Sequence, residues 1–140
     1  MSYASQTSRY LENDVLSRSP EWLVTLVYEA LLTNLRRAEM QIEIGDIEGK
    51  AASLTRAGAL VGELLSSLDQ ERGGEIAARL SALYTYFALE IMNIGRSLDS
   101  VALGRLIVMF EDLRGAWVQA AEQVAPRGPG STRTLTVTAA

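Results

Sequence analysis

A chain of 140 residues with a formal net charge of -4 has the size of one ordinary domain and a mildly acidic character. Hydrophobic residues make up 48% and charged residues 21%, a composition typical of soluble globular proteins, without the basic excess that nucleic-acid binding requires. The chain contains no Cys and no His, which excludes disulfides, thiolate chemistry, histidine phosphotransfer and histidine general-base catalysis.

The two ends of the chain differ in composition from its middle. Residues 1–18 lack the apolar core of a signal peptide and carry only isolated apolar side chains, so this N-terminal segment either frays or docks on a helical body. No apolar run approaches the roughly 20 residues that span a bilayer, which predicts no membrane insertion and a cytoplasmic location. Residues 126–140 are rich in Pro, Gly, Ser and Thr and are predicted to form a flexible tail.

The first two helices are predicted over residues 20–44 and about 47–68. Ser19 precedes Pro20 as a helix cap, Gly45 ends the first helix, and Asp46 caps the second. Apolar residues at helical spacing predict the buried stripe of the first helix, with Trp22 and Leu26 at its margin: Val24, Val27, Tyr28, Leu31, Leu35, Ala38 and Ile42. The stripe of the second helix consists of Ile47, Ala51, Leu54, Gly58, Val61, Leu65 and Leu68.

The second helix has an unusually wide apolar face. Ala57, Leu60 and Leu64 extend it beyond one seam. Such a helix either contacts two neighbours or presents part of its surface to a partner.

The last two helices are predicted over about 75–97 and 100–124. A polar loop closed by Gly73 and Gly74 precedes the third helix, and Asp99 caps the fourth. The inner apolar stripe of the third helix comprises Ile76, Leu80, Leu83, Phe87, Ile91, Ile94 and Leu98. Tyr84, Ala88 and Gly95 form a second, flatter stripe, and Tyr86 lies on the opposite side of the helix. The fourth is expected to bury Leu103, Leu106, Ile107, Phe110, Leu113, Trp117 and Val124.

Four long helices with short connections predict an all-α fold, an antiparallel up-and-down four-helix bundle with a short N-terminal docking segment and a flexible C-terminal tail. The expected organisation is an N-terminal segment over 1–18, a helical domain over 19–125 and a tail over 126–140.

The sequence offers little reactive chemistry. The carboxylate pairs Glu71 with Glu75 and Glu111 with Asp112 lie in polar stretches, and their spacing alone does not make a catalytic pair. Gly73-Gly74 lacks the preceding strand and further glycines of a phosphate-binding loop. Two other classes of protein stay open on these residues: an all-helical mutase or lyase whose arginines bind a small anion, and a helical dimerisation or adaptor module.

Short motifs follow one another in a set order and at set intervals over roughly residues 3–120. They are Tyr10, Val15, Ser19-Pro20, Leu26-Val27-Tyr28-Glu29, Gly45-Asp46-Ile47, Leu64, Ser67-Leu68-Asp69, Gly73-Gly74-Glu75-Ile76-Ala77, Leu80, Leu83-Tyr84, Tyr86 and Leu113-Arg114-Gly115-Ala116-Trp117. Each motif is weak alone, and the ordered set is fairly specific. In this set the chain resembles the FliS family of flagellar export chaperones.

The resemblance implies a cytoplasmic chaperone, not an enzyme, that needs no cofactor. Its expected client is the disordered C-terminal segment of flagellin, which it keeps from polymerising before export by the flagellar type III apparatus. The resemblance also implies the export-gate membrane protein as a partner, and in some members an anti-sigma factor. A homodimer is expected when the client is absent.

Two sets of residues are expected to bind the client. The resemblance gives a role to Tyr10 and Val15 in an N-terminal segment that can cover part of the client groove. The apolar pattern adds five residues that flank the inner stripes of helices two and three, with the client groove between these helices: Leu60, Leu64, Tyr84, Ala88 and Ile91.

Overall fold

The computed structural model describes residues 20–124, and these form four α-helices without a strand. The helices are α1 (Pro20–Ile44), α2 (Ile47–Ser66), α3 (Gln70–Ser97) and α4 (Ser100–Val124). The predicted bounds of α1 and α4 are confirmed, and α2 ends two residues before the predicted end at 68. The expectations for Ser19, the N-terminal segment and the tail, and for the side chain of Val124, lie outside the described residues.

Side-chain caps explain where α2 and α4 begin. Asp46 accepts a hydrogen bond from the backbone N–H of Gly49 at 2.9 Å, and Asp99 accepts one from the N–H of Ala102 at 3.0 Å. Each cap satisfies an amide that has no partner within its helix. Gly45 ends α1 with a φ of 79°, a conformation that favours glycine. The predicted caps at Asp46 and Asp99 are thus confirmed.

The start of α3 differs from the prediction. The chain reverses at residues 67–69, where Asp69 accepts a hydrogen bond from the N–H of Arg72 at 3.1 Å and caps α3. Gly74 lies inside the helix with φ 53° and ψ -127°, which interrupts the helical geometry after one turn. The expectation that Gly73-Gly74 closes the loop before α3 is therefore wrong, because the Asp69 cap nucleates a helical turn before the glycines.

Gly74→Ala is expected to lower the free energy of unfolding by about 1–3 kcal/mol, because a residue with a Cβ is strained at a positive φ. The control is Gly58→Ala, since Gly58 is helical and an added Cβ there meets nothing within 4 Å. The control should raise stability by about 0.5–1 kcal/mol. Urea unfolding followed by circular dichroism measures both changes, and an equal gain for both variants would contradict a strained Gly74.

The chain divides into two compact units. One comprises Met1–Leu26 and Leu113–Ala140, of which 20–26 and 113–124 are described, and the other is Val27–Asp112. In the described part of the first unit, Thr25 is buried and donates its hydroxyl hydrogen to the carbonyl oxygen of Glu21 at 2.9 Å. Trp22 and Trp117 are partly buried there, and Ala121 is buried.

Within Val27–Asp112, polar contacts define the helix directions. The side chains of Ser53 of α2 and Gln41 of α1 are hydrogen-bonded at 2.8 Å, and Arg56, further along α2, donates to Asn34, earlier in α1, at 3.1 Å. Lys50 near the start of α2 likewise contacts Gly95 near the end of α3. In this unit α2 is therefore antiparallel to both α1 and α3, and the predicted all-α, up-and-down four-helix bundle is confirmed.

The core of this unit is built around an aromatic cluster from three helices. Phe87 of α3 and Phe110 of α4 have ring centroids 4.2 Å apart, and Tyr28 of α1 meets Phe110 edge-on at 5.7 Å. Tyr84 joins the cluster through its contacts with Tyr28 and Phe87. Aliphatic residues of the predicted stripes are buried in the same unit: Leu31, Leu35, Leu54, Val61, Ile94, Leu103, Leu106 and Ile107.

Four predicted stripe residues are exposed instead of buried: Ile47, Ala51, Ile76 and Leu98. Ile47 is the first residue of α2, and Ile76, 70% exposed, follows the interruption at Gly74. Leu98 adopts a left-handed conformation after the last residue of α3. Periodicity assumes an uninterrupted helix and therefore fails at helix ends and kinks. Trp22, Leu26 and Tyr86 are partly or largely exposed, as predicted.

Among the described helices, none combines the length and the hydrophobicity that crossing a bilayer requires.

Candidate binding groove

A groove of about 440 Å³ lies between the antiparallel helices α2 and α3. Lys50 and Gly95 are at one end, and Gly58 and Ala88 are about two helical turns away, on the order of 12 Å along the helix axes. The described residues that line it are Lys50, Ala51, Leu54, Thr55, Gly58, Ala88, Ile91, Met92 and Gly95. We call it the α2–α3 groove.

Small residues create the α2–α3 groove. Ala51, Gly58, Ala88 and Gly95 place little or no side chain between the two helices. A Cβ added at Gly58 would meet nothing within 4 Å, so this position opens onto free space. Apolar atoms of larger lining residues, Leu54, Ile91 and Met92, then form its walls. The result is a concave, mainly apolar surface typical of peptide-binding sites.

Among the described lining residues, Lys50 is the one that carries a charge, and it is the only lysine of the chain. It is buried, and its ammonium donates a hydrogen bond to the carbonyl oxygen of Gly95 at 2.9 Å. Gly95 lies in the last turn of α3, where carbonyl oxygens lack helical partners and the helix dipole favours a positive charge. Lys50 therefore links the two walls of the groove at one end.

The structure brings together only part of the predicted client-binding set. Ala88 and Ile91 both line the α2–α3 groove, and Ile91, which is only 3% exposed, lies at its base as part of the core. Leu60 is partly buried and lies outside the groove lining. Tyr10 and Val15 lie outside the described residues. A client-binding role for these residues stays a prediction.

Leu64 and Tyr84 require a correction of their predicted location. Both were placed at the margin of the stripes, yet each is only 1% exposed. The hydroxyl groups of Tyr28 and Tyr84 form a buried hydrogen bond of 2.9 Å, which explains how a tyrosine reaches the interior. These two side chains belong to the core and are not available on the surface.

Tyr84→Phe is expected to lower the free energy of unfolding by about 1–2 kcal/mol, because it removes one partner of a buried hydroxyl pair. The double variant Tyr28→Phe with Tyr84→Phe should lose less than the sum of the two single variants. Thermal and urea unfolding of all three variants tests this, and strictly additive losses would contradict the energetic coupling of the two hydroxyls.

Seven lining residues were not predicted as binding residues: Lys50, Ala51, Leu54, Thr55, Gly58, Met92 and Gly95. The sequence holds one signal for them, since Ala51 and Gly58 on α2, and Ala88 and Gly95 on α3, recur at helical spacing. Two facing rows of small residues indicate a gap between helices as readily as a close contact, and only the structure distinguishes the two.

The described arginines with recorded side-chain contacts do not share a pocket. Arg36 forms an ion pair with Glu111, and Arg79 forms one with Glu75 at 2.9 Å on the same helix. Arg56 contacts Asn34, and Arg96 contacts Asn93. This distribution does not support a converging anion site of the mutase or lyase kind.

Comparison with known proteins identifies the family of this chain. The family model described as flagellar protein FliS matches residues 2–124. The chain is 30% identical over 118 residues to the flagellar secretion chaperone FliS of Salmonella typhimurium, covering 84% of each chain. It is 34% identical over 110 residues to the flagellar secretion chaperone FliS of Campylobacter jejuni, covering 77% of this chain and 84% of the other. A protein described as flagellar secretion chaperone FliSB, from Pseudomonas aeruginosa, is 28% identical over 107 residues. FliS proteins are chaperones and not enzymes, and this chain belongs to the FliS family of flagellar secretion chaperones.

Proposed function

We propose that this chain is a cytoplasmic export chaperone for flagellin. It binds the disordered C-terminal region of flagellin, prevents premature polymerisation and delivers the client to the flagellar type III export apparatus. The observation that carries the proposal is an apolar groove between two helices of a chain in a flagellar secretion chaperone family. The α2–α3 groove is one contact site on the path of the client.

The dimensions of the groove favour a short helical piece of the client. Its length of about 12 Å corresponds to roughly two helical turns, which present apolar side chains at positions i, i+3 or i+4, and i+7. Leu54, Ile91 and Met92 offer apolar walls, while the small residues leave room for the inserted side chains. Ordering a disordered client costs conformational entropy, and several such apolar contacts along its path offset that cost.

Mixing the chain with a synthetic peptide of the flagellin C-terminal segment tests the proposal. A stable 1:1 complex is expected in size-exclusion chromatography with light scattering, together with protection of the peptide from protease. No binding at tens of micromolar peptide would overturn the proposal.

A role for the N-terminal segment rests on the family resemblance at Tyr10 and Val15. Deleting residues 1–18 is expected to leave the helical content nearly unchanged and to alter client affinity. Circular dichroism and titration calorimetry measure the two effects. Global unfolding of the deletion variant would instead assign the segment a structural role.

The proposal includes an oligomeric switch and two further partners. We expect a homodimer without client that converts to a 1:1 complex with client, and light scattering measures this change. A dimer that the client peptide does not dissociate would favour a dimerisation or adaptor module. The export-gate membrane protein and an anti-sigma factor are proposed on the family resemblance alone.

A further inference from the structure

Lys50 is an unusual residue for the wall of an apolar groove. It is 5% exposed, whereas lysine side chains generally keep their ammonium groups in water unless a partner compensates their burial. Its recorded side-chain partner is the carbonyl oxygen of Gly95, and an ammonium has three hydrogens to donate.

No carboxylate of the described residues forms an ion pair with Lys50. Asp46, which precedes α2 and lies four residues before Lys50, uses a carboxylate oxygen to cap that helix through the N–H of Gly49. The other lining residues are uncharged. Within residues 20–124, the buried ammonium of Lys50 therefore has one acceptor, which is neutral, and buried charges are normally matched by an opposite charge.

We infer that Lys50 anchors a side-chain carboxylate, from Asp or Glu, of the segment that occupies the α2–α3 groove. The inference rests on the proposed function, in which the occupant is a helical piece of flagellin. The occupant then carries apolar residues toward Leu54, Ile91 and Met92, and an acidic residue at the end next to Lys50 and Gly95. Charge-assisted hydrogen bonds of this kind fix register as well as affinity, because the acid must lie at one end of the apolar series.

The position of Lys50 at one end of the groove explains why an acidic residue of the occupant would set the register in which the occupant binds. The apolar walls alone accept an amphipathic helix in several registers, since one turn of the occupant resembles the next. A single positive charge at one end distinguishes these registers, because a misplaced carboxylate would meet the apolar lining at Leu54 or Ile91. The occupant is therefore selected by charge position in addition to hydrophobicity.

Calorimetry with Lys50→Met and a peptide series tests the inference. The peptides carry the flagellin C-terminal sequence, with each Asp or Glu replaced in turn by its amide, and one peptide has an amidated C-terminus. One side-chain replacement is expected to weaken binding to the unsubstituted chaperone roughly tenfold and to have little further effect on Lys50→Met. Arg79→Met is the charge-matched control, since Arg79 is exposed and pairs with Glu75.

The single lysine allows a second measurement that does not depend on the folding of a variant. Chaperone labelled with ¹⁵N only in lysine gives one side-chain signal, that of Lys50. This signal is expected to shift on adding the unmodified peptide and to shift far less with the critical Asp→Asn or Glu→Gln peptide. A purely structural Lys50, serving only to cap α3, would respond equally to both peptides.

The outcomes separate the inference from the proposed function. If the unmodified peptide binds and no acidic side chain affects its affinity or the Lys50 signal, the inference is wrong and the chaperone function stands. If only the amidated terminus weakens binding, the terminal carboxylate is the ligand and the side-chain assignment is overturned. If the unmodified peptide does not bind at all, the proposed function fails first.

Discussion

Gly58→Phe is expected to weaken binding of the flagellin C-terminal peptide about 100-fold while the chain stays folded. Gly58 lines the α2–α3 groove, and an added Cβ meets nothing within 4 Å, so the benzyl group enters space that the client would fill. Excluding two apolar client side chains, each contributing about 1.5 kcal/mol or more, gives a loss of this size. Titration calorimetry measures the affinity.

Gly62→Phe provides the matched control for this prediction. Gly62 is also a helical residue of α2 with free space at its Cβ position, but it is exposed and does not line the groove. Both substitutions replace a helical glycine and should raise helix propensity slightly. The control should therefore keep the affinity of the original chain. Equal losses of affinity for the two variants would indicate a change in α2 itself. Unchanged affinity of a folded Gly58→Phe variant would show that the client does not bind in the groove.

The helix bounds could be predicted from the sequence because local chemistry determines them. Asp46 and Asp99 cap helices through amides three residues later, and Gly45 ends α1 with a positive φ. These interactions depend on neighbours within a few residues, so they are visible in the order of residue types. Gly73-Gly74 misled the prediction because two glycines usually mark a loop, whereas Asp69 already starts α3 before them.

The degree of burial was harder to predict than helix bounds, and α2 shows why. It contacts α1 through Ser53 and Gln41, and α3 through Lys50 and Gly95, so its buried arc includes two interfaces. Periodicity defines the centre of one apolar stripe but not the width of a surface shared by two neighbours. Leu64 therefore appeared marginal in the sequence and is buried in the structure.

The location of the candidate site was predicted in part. The expectation of a groove between the second and third helices agrees with the geometry, and Ala88 and Ile91 line it. The shape of the groove depends on positions without a side chain, Gly58 and Gly95 in particular. Lys50 could not be predicted as a site residue because a single lysine forms no sequence pattern. Its burial results from tertiary packing, which the sequence does not show.

Phe110→Ala is expected to lower the free energy of unfolding by about 3–5 kcal/mol, the largest stability effect that we predict for a single substitution. Phe110 is fully buried and touches both Phe87 and Tyr28, so truncation leaves a cavity between α1, α3 and α4. Val108→Ala, at an exposed position of the same helix, should change stability by no more than about 0.5 kcal/mol. Urea unfolding compares the two, and similar losses would contradict a core role for Phe110.

Phe110→Ala also tests whether packing in the core keeps the groove in shape. Ile91 lines the groove and lies one turn of α3 beyond Phe87, so the ring contact between Phe87 and Phe110 holds that wall in place. Since the groove is a gap between helices, its width depends on how firmly α3 is fixed to the core behind it. Phe110→Ala should therefore weaken client binding even at temperatures where the chain remains folded, whereas Val108→Ala should not. Unchanged affinity of folded Phe110→Ala would show that the position of α3 against α2 is set by contacts such as the hydrogen bond from Lys50 to Gly95, without help from the aromatic cluster.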